Sequence, residues 1–103
     1  MIPYGRQKIF SKDIKAVINT LKSDYLTQGP AVPKFEYEIK KKINSNYVLA
    51  LNSATSALHI ACKAIGVKTN DIVWTSSNSF VASANCAEHC QAKIDFVDID
   101  YNT

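Results

Sequence analysis

The chain has 103 residues, 47% of them apolar and 20% charged, with a formal net charge of +3. That balance describes a globular protein with one modest core and excludes a disordered charged tail. No apolar run reaches the length of a membrane span, the first residues lack the apolar centre of a signal peptide, and Lys40-Lys41-Lys42 is a solvated helix end with no interleaved aromatics to make a nucleic-acid face.

Residues 1–10 read as an irregular lead-in containing Pro3 and Gly5. Ser11 is a candidate cap for a helix over Lys12 to Leu21, with Ile14, Val17, Ile18 and Leu21 on one face. The segment Ser23 to Pro30 breaks regularity and ends in Gly29-Pro30. It mixes apolar, aromatic and hydrogen-bonding residues, which a plain linker would not need. A second helix is expected over Val32 to Ile43, with Phe35, Ile39 and Ile43 buried. Its Glu36–Lys40 and Glu38–Lys42 pairs would each contribute roughly 0.2–0.5 kcal/mol.

After the turn at Asn44-Ser45-Asn46, Tyr47 to Leu51 is a continuous apolar run, the mark of a strand covered on both faces. A helix over Ala54 to Ile65 follows. Ala54, Leu58, Ala61 and Ile65 would form its inner face, with His59 and Cys62 off that stripe and Gly66 closing the end. Asp71 to Thr75 reads as a strand and Ser76 to Ser79 as a polar loop. Phe80 to Cys90 reads as a helix crowded with small residues, and Ile94 to Ile99 as a third strand. The order from Tyr47 onward is β-α-β-α-β, which argues for a mainly parallel sheet with flanking helices and right-handed crossovers. An α/β unit that stops just after a strand reads as a piece of something larger. Cys62, Cys86 and Cys90 lie in apolar helical stretches without disulfide spacing, which suits reduced thiols and a cytoplasmic location.

The junction Leu51-Asn52-Ser53-Ala54-Thr55-Ser56-Ala57-Leu58 carries the chemistry. The first N–H groups of a helix lack intrahelical acceptors and carry partial positive charge. Small residues let an anion approach them, and Ser53, Thr55 and Ser56 add hydroxyls, so the junction is a candidate phosphate cradle. An ordinary turn capped by Asn52 or Ser53 is the plainer alternative. A dinucleotide fingerprint and a P-loop are both absent. The spacing of Cys86, His89 and Cys90 is poor for zinc, and no metal site is expected there. A small stand-alone α/β module that binds a phosphorylated ligand without chemistry is the rival reading.

Three blocks together resemble the N-terminal part of the DegT/DnrJ/EryC1/StrS sugar aminotransferases. They are Tyr25-Leu26-Thr27-Gln28-Gly29-Pro30 followed by Phe35-Glu36; Asn52-Ser53-Ala54-Thr55-Ser56-Ala57-Leu58; and Ser79-Phe80-Val81-Ala82-Ser83-Ala84-Asn85 leading to Val97-Asp98-Ile99-Asp100. The resemblance implies the α/β large domain of the pyridoxal-phosphate-dependent aspartate aminotransferase fold (fold type I). Residues 1–30 would be an N-terminal helix and substrate-side loop, and residues 31–103 an incomplete cofactor-binding domain. It implies pyridoxal 5'-phosphate as cofactor, with Ser53, Ala54 and Thr55 on its phosphate and Phe80 stacked on its ring. Tyr4 and Asp24, Tyr25, Leu26 and Thr27 would contact a nucleotide sugar. Glutamate would be the amino donor and a UDP-linked 4-keto-6-deoxy sugar of the pseudaminic acid type the acceptor. The intact protein would be a homodimer, with no nucleic-acid or membrane partner.

In that family the lysine that bonds the cofactor and the carboxylate facing its pyridine nitrogen lie beyond the segment matched here, so no catalytic residue is expected in this chain, which would be inert alone. Gln91 stands where the family favours glycine, Glu88 and His89 where it favours apolar residues, and Ser77 where it favours proline. These departures fit a truncated or partial reading frame.

Overall fold

The computed structural model describes residues 4–102. Ile2 and Pro3 of the lead-in lie outside the described residues. The chain divides into two compact units, Met1–Ala50 and Leu51–Thr103.

The first unit carries helices α1 (Ser11–Leu21) and α2 (Ala31–Ile43). Helix α1 starts one residue earlier than its sequence suggests, because the cap is Phe10 and not Ser11. The carboxylate of Asp13 accepts the Phe10 backbone N–H at 2.8 Å, so the third helical position satisfies a donor that a capping box also satisfies. Ile14, Val17 and Ile18 share one face as expected, and that face is open in this chain. Helix α2 ends at Asn44, whose left-handed φ of 50° closes the last turn, with Lys40, Lys41 and Lys42 against the negative end of the helix dipole. Glu36 is not only a surface charge. Its Oε1 accepts the Ala50 backbone N–H at 2.8 Å in a part-buried bond.

Tyr47 to Leu51 forms no ladder among the described residues, which corrects the expected first strand. A strand needs a neighbouring backbone to accept and donate its hydrogen bonds. Here Ala50 bonds a side chain instead, and Tyr47 and Leu49 are exposed.

The second unit runs α3 (Ala54–Ala64), β1 (Ile72–Ser76), α4 (Ala82–Glu88) and β2 (Lys93–Val97). The strands are parallel and in register from Ile72 opposite Lys93 to Ser76 opposite Val97. The parallel α/β architecture holds, with two strands among the described residues where three were expected. Helix α4 is shorter at both ends than the apolar run that encodes it. Its core is small and lies on and just after this helix: Ala82, Cys86, Ala87 and Cys90. Small side chains let α4 pack closely on α3 and on both strands.

Two helix ends close in the same way. After α3, Gly66 at φ +85° donates to Lys63 O and Val67 donates to Cys62 O. After α4, Gln91 at φ +59° donates to Glu88 O and Ala92 donates to Ala87 O. Both are Schellman closures, in which one left-handed residue turns the chain out of the helix. The two loops also meet: Thr69 Oγ1 donates to Gln91 Oε1 at 3.2 Å, and Lys93 N–H donates to Asp71 O at 2.8 Å.

Candidate functional site

Those loops fix the orientation of the second unit. Helices α3 and α4 both hand over to the N-terminal ends of paired parallel strands. A helix of 11 residues is about as long as a five-residue strand, roughly 16 Å. Helix α3 packs on α4, whose N-terminus follows the carboxyl edge of the sheet at β1. In open α/β sheets that edge is where ligands bind.

Ser53 caps α3 in extended conformation, and its hydroxyl accepts the Ser56 backbone N–H at 3.2 Å. The same hydroxyl donates to Ser56 Oγ at 3.0 Å. The plainer capping geometry is thus real for the Ser53 side chain, and two of the three junction hydroxyls bond each other. Ala57 N–H reaches Ser53 O at 3.1 Å. Among the described residues, the backbone N–H groups of Ala54 and Thr55 have no acceptor. Both residues are exposed, and Ala54 brings only a methyl group. Two open donors on the positive end of a three-turn helix suit a phosphate.

Phe80 precedes α4 and is 75% exposed. Leaving so large an apolar ring in water forfeits about 1.5–3 kcal/mol of burial. It lines a cavity of about 260 Å³ at the carboxyl end of the sheet, walled by Thr75 and Ser76 from the end of β1, Ser79 and Ser83 around α4, and Phe96 from β2. A planar aromatic ligand fits between apolar walls with hydroxyls at its rim. Open backbone donors thus lie at the start of α3, and an aromatic face lines the cavity beside α4. The expected set missed Ser76, Ser79, Ser83 and Phe96. Ser76 and Ser79 read only as part of a polar loop, and Ser83 as one of the small residues of the helix after it.

The remaining expected site residues lie in the first unit. Tyr4, Asp24, Tyr25, Leu26 and Thr27 are all exposed. At the start of the loop that carries the last four, Ser23 Oγ donates to Thr20 O at the end of α1 at 2.8 Å. It is also tight: a Cβ on Gly29 would lie 2.6 Å from Tyr25 Cβ, so only glycine fits there.

The face of α3 that packs on α4 is the one the sequence placed off the stripe. His59 and Cys62 are partly covered, whereas Leu58 and Ile65 are exposed. The His59 and His89 rings lie 5.3 Å apart and tilted by 51°. Burial, and then the neighbouring Cys86 and Cys90, push the Cys62 thiol above its ordinary value. All three thiols are free, and among the described residues no three groups are placed to hold a metal.

The comparisons with known proteins bear on the family and the fold. The model of the DegT/DnrJ/EryC1/StrS aminotransferase family matches residues 7–103. A UDP-4-amino-4,6-dideoxy-N-acetyl-beta-L-altrosamine transaminase of Campylobacter jejuni is 43% identical over 99 residues, which is 96% of this chain and 26% of that protein. The spore coat polysaccharide biosynthesis protein SpsC of Bacillus subtilis is 39% identical over 102 residues, again 26% of its length. Spr1654 of Streptococcus pneumoniae, described as a sugar aminotransferase and solved in PLP and PMP forms, superposes with a TM-score of 0.89 at 29% identity. That match covers 99% of this chain and 26% of Spr1654. The chain thus spans about a quarter of the length of the relatives it matches. The cofactor of these enzymes is pyridoxal phosphate, and the α/β arrangement is theirs. With the family model matched along nearly all of its length, the chain belongs to the DegT/DnrJ/EryC1/StrS aminotransferase family.

Proposed function

We propose that this chain is the part of a nucleotide-sugar aminotransferase that receives the phosphate and one ring face of pyridoxal phosphate. The observations that carry the reading are the open N–H donors at Ala54 and Thr55 and the exposed ring of Phe80 in the cavity at the carboxyl end of β1. Ser53 holds the helix mouth in shape, Ala54 and Thr55 donate to the phosphate, and Phe80 covers the ring and keeps water from it. When bound, the cofactor supplies the electron sink that lets an amino group move between donor and acceptor.

The amino donor is glutamate and the acceptor is a UDP-linked 4-keto-6-deoxy sugar. The Campylobacter jejuni relatives, at 43% and 40% identity, support the pseudaminic acid type. Tyr4, Asp24, Tyr25, Leu26 and Thr27 serve the sugar nucleotide, which makes residues 1–30 the substrate side and residues 31–103 the cofactor side. The whole protein acts as a cytoplasmic homodimer. The chain by itself is inactive, because none of its lysines lines the cavity.

The test is a two-step titration of the 15N-labelled chain followed by nuclear magnetic resonance. Inorganic phosphate shifts the Ala54 and Thr55 amides, and pyridoxal phosphate shifts these and also the Phe80 ring. Incubation with glutamate and a UDP-4-keto sugar gives no product. Saturable binding that leaves the Ala54 and Thr55 amides unmoved refutes the phosphate assignment. Turnover by the isolated chain refutes its inactivity.

A further inference from the structure

Phe80 sits in a short connection between β1 and α4 and is 75% exposed. An exposed ring on a loop would ordinarily sample several rotamers, and a ring that must meet a flat ligand loses affinity for each one it samples. Two hydroxyl tethers bracket it. On the strand side, Asn78 N–H donates to Ser76 Oγ at 3.2 Å. On the helix side, Ser79 Oγ and Ser83 Oγ lie 3.1 Å apart and bridge across Phe80 itself. Ser83 N–H also donates to Phe80 O at 3.0 Å, so Ser83 holds both the backbone of Phe80 and the side chain before it. Val81, the cap of α4, offers no side-chain acceptor, so the start of α4 has no side-chain cap. Ser79, Phe80 and Ser83 all line the same cavity.

We propose that Ser79 and Ser83 are a positioning pair whose mutual hydrogen bond fixes the Phe80 ring over the ligand cavity. The pair acts through Phe80, and the inference rests on the reading that Phe80 covers the cofactor ring.

The test compares ligand affinities of the chain and its variants by the same resonance titration. Ser83→Ala weakens pyridoxal phosphate about three- to tenfold, the range of one lost hydrogen bond, while the affinity for inorganic phosphate stays within about twofold. Ser83→Thr restores the hydroxyl and the affinity. Phe80→Ala weakens pyridoxal phosphate, and adding Ser83→Ala to it has no further effect, because the pair then has no ring to position. Ser79→Ala is the second variant and behaves as Ser83→Ala. A merely structural role would weaken both ligands equally and lower thermal stability in step. Equal loss for both ligands, an additive double variant or no rescue by threonine overturns the proposal. If Phe80→Ala itself leaves pyridoxal phosphate binding unchanged, or the unaltered chain shows no saturable binding, the Phe80 reading falls and the positioning pair falls with it.

Discussion

Gln91 is the most direct test of how local geometry sets the stability of the second unit. It occupies the left-handed position of a Schellman closure at φ +59°, the place Gly66 fills at φ +85° after α3. A residue with a Cβ costs about 1–2 kcal/mol in this conformation. Glycine removes that cost but gives back about 0.4–1 kcal/mol through the extra freedom of the unfolded chain. The Gln91 side chain also accepts from Thr69 Oγ1, an exposed bond that contributes a few tenths of a kcal/mol and is lost on truncation. Gln91→Ala keeps the strain and loses the bond, whereas Gln91→Gly loses both. The two variants should therefore differ by about 1 kcal/mol in favour of glycine, or about fivefold in the opening equilibrium. The assay is native-state hydrogen exchange at the Ala92 and Lys93 amides, which bond Ala87 O and Asp71 O across the closure. Gly66→Ala is the mirror experiment. A Cβ there meets nothing within 4 Å, so only the backbone conformation can penalise it, again by about 1 kcal/mol. Equal protection in Gln91→Gly and Gln91→Ala, or no loss in Gly66→Ala, refutes the reasoning.

Three further outcomes follow from the same geometry. Gly29→Ala places a Cβ 2.6 Å from Tyr25 Cβ, so the loop must rearrange; chemical shifts from Tyr25 to Gln28 should move while those of α4 stay fixed. Ser53→Ala removes the cap of α3 at a cost of about 0.5–2 kcal/mol, read as faster exchange at Ser56, and it weakens inorganic phosphate along with pyridoxal phosphate. Cys62 has its pKa raised in the fold, so the stability it contributes is present below the ordinary cysteine value and is lost as pH rises through the raised one. Alkylation of Cys62 by iodoacetamide should therefore be slow at neutral pH and accelerate only at pH values above those of an exposed cysteine in a peptide. A rate equal to the peptide's at every pH would refute this.

The sequence made visible those features that depend on neighbours along the chain. The 3.6-residue spacing of α1 and α2, the Gly66 closure and the parallel order of β1 and β2 all follow from local pattern. The open donors at the start of α3 were legible because a helix start after small residues has them wherever it occurs. The cavity was not legible. Ser79 and Ser83 are four residues apart, yet the 3.1 Å bond between them exists only because the chain turns at Phe80 before α4 begins. The Ser11 cap failed for a similar reason. Serine at that point is a sound cap by type, but Asp13 reaches back to Phe10 and moves the helix start by one residue.

Helix α3 shows where periodicity stops being informative. Its sequence offers two faces: the aliphatic stripe of Ala54, Leu58, Ala61 and Ile65, and a mixed face with His59 and Cys62. Hydrophobicity favours the first, yet the second packs on α4, because Ala82, Cys86 and Ala87 there leave room for an imidazole and a thiol at close approach. The choice has a cost, since His59 Nε2 is buried without a partner among the described residues. The stripe meanwhile stays exposed, with Ile65 at 81%. Both faces of one helix are therefore apolar enough to bury, and a helix apolar on both sides belongs to the interior of a larger body. That agrees with a chain that spans about a quarter of the length of its relatives, and it explains why a one-sided pattern search selected the wrong face.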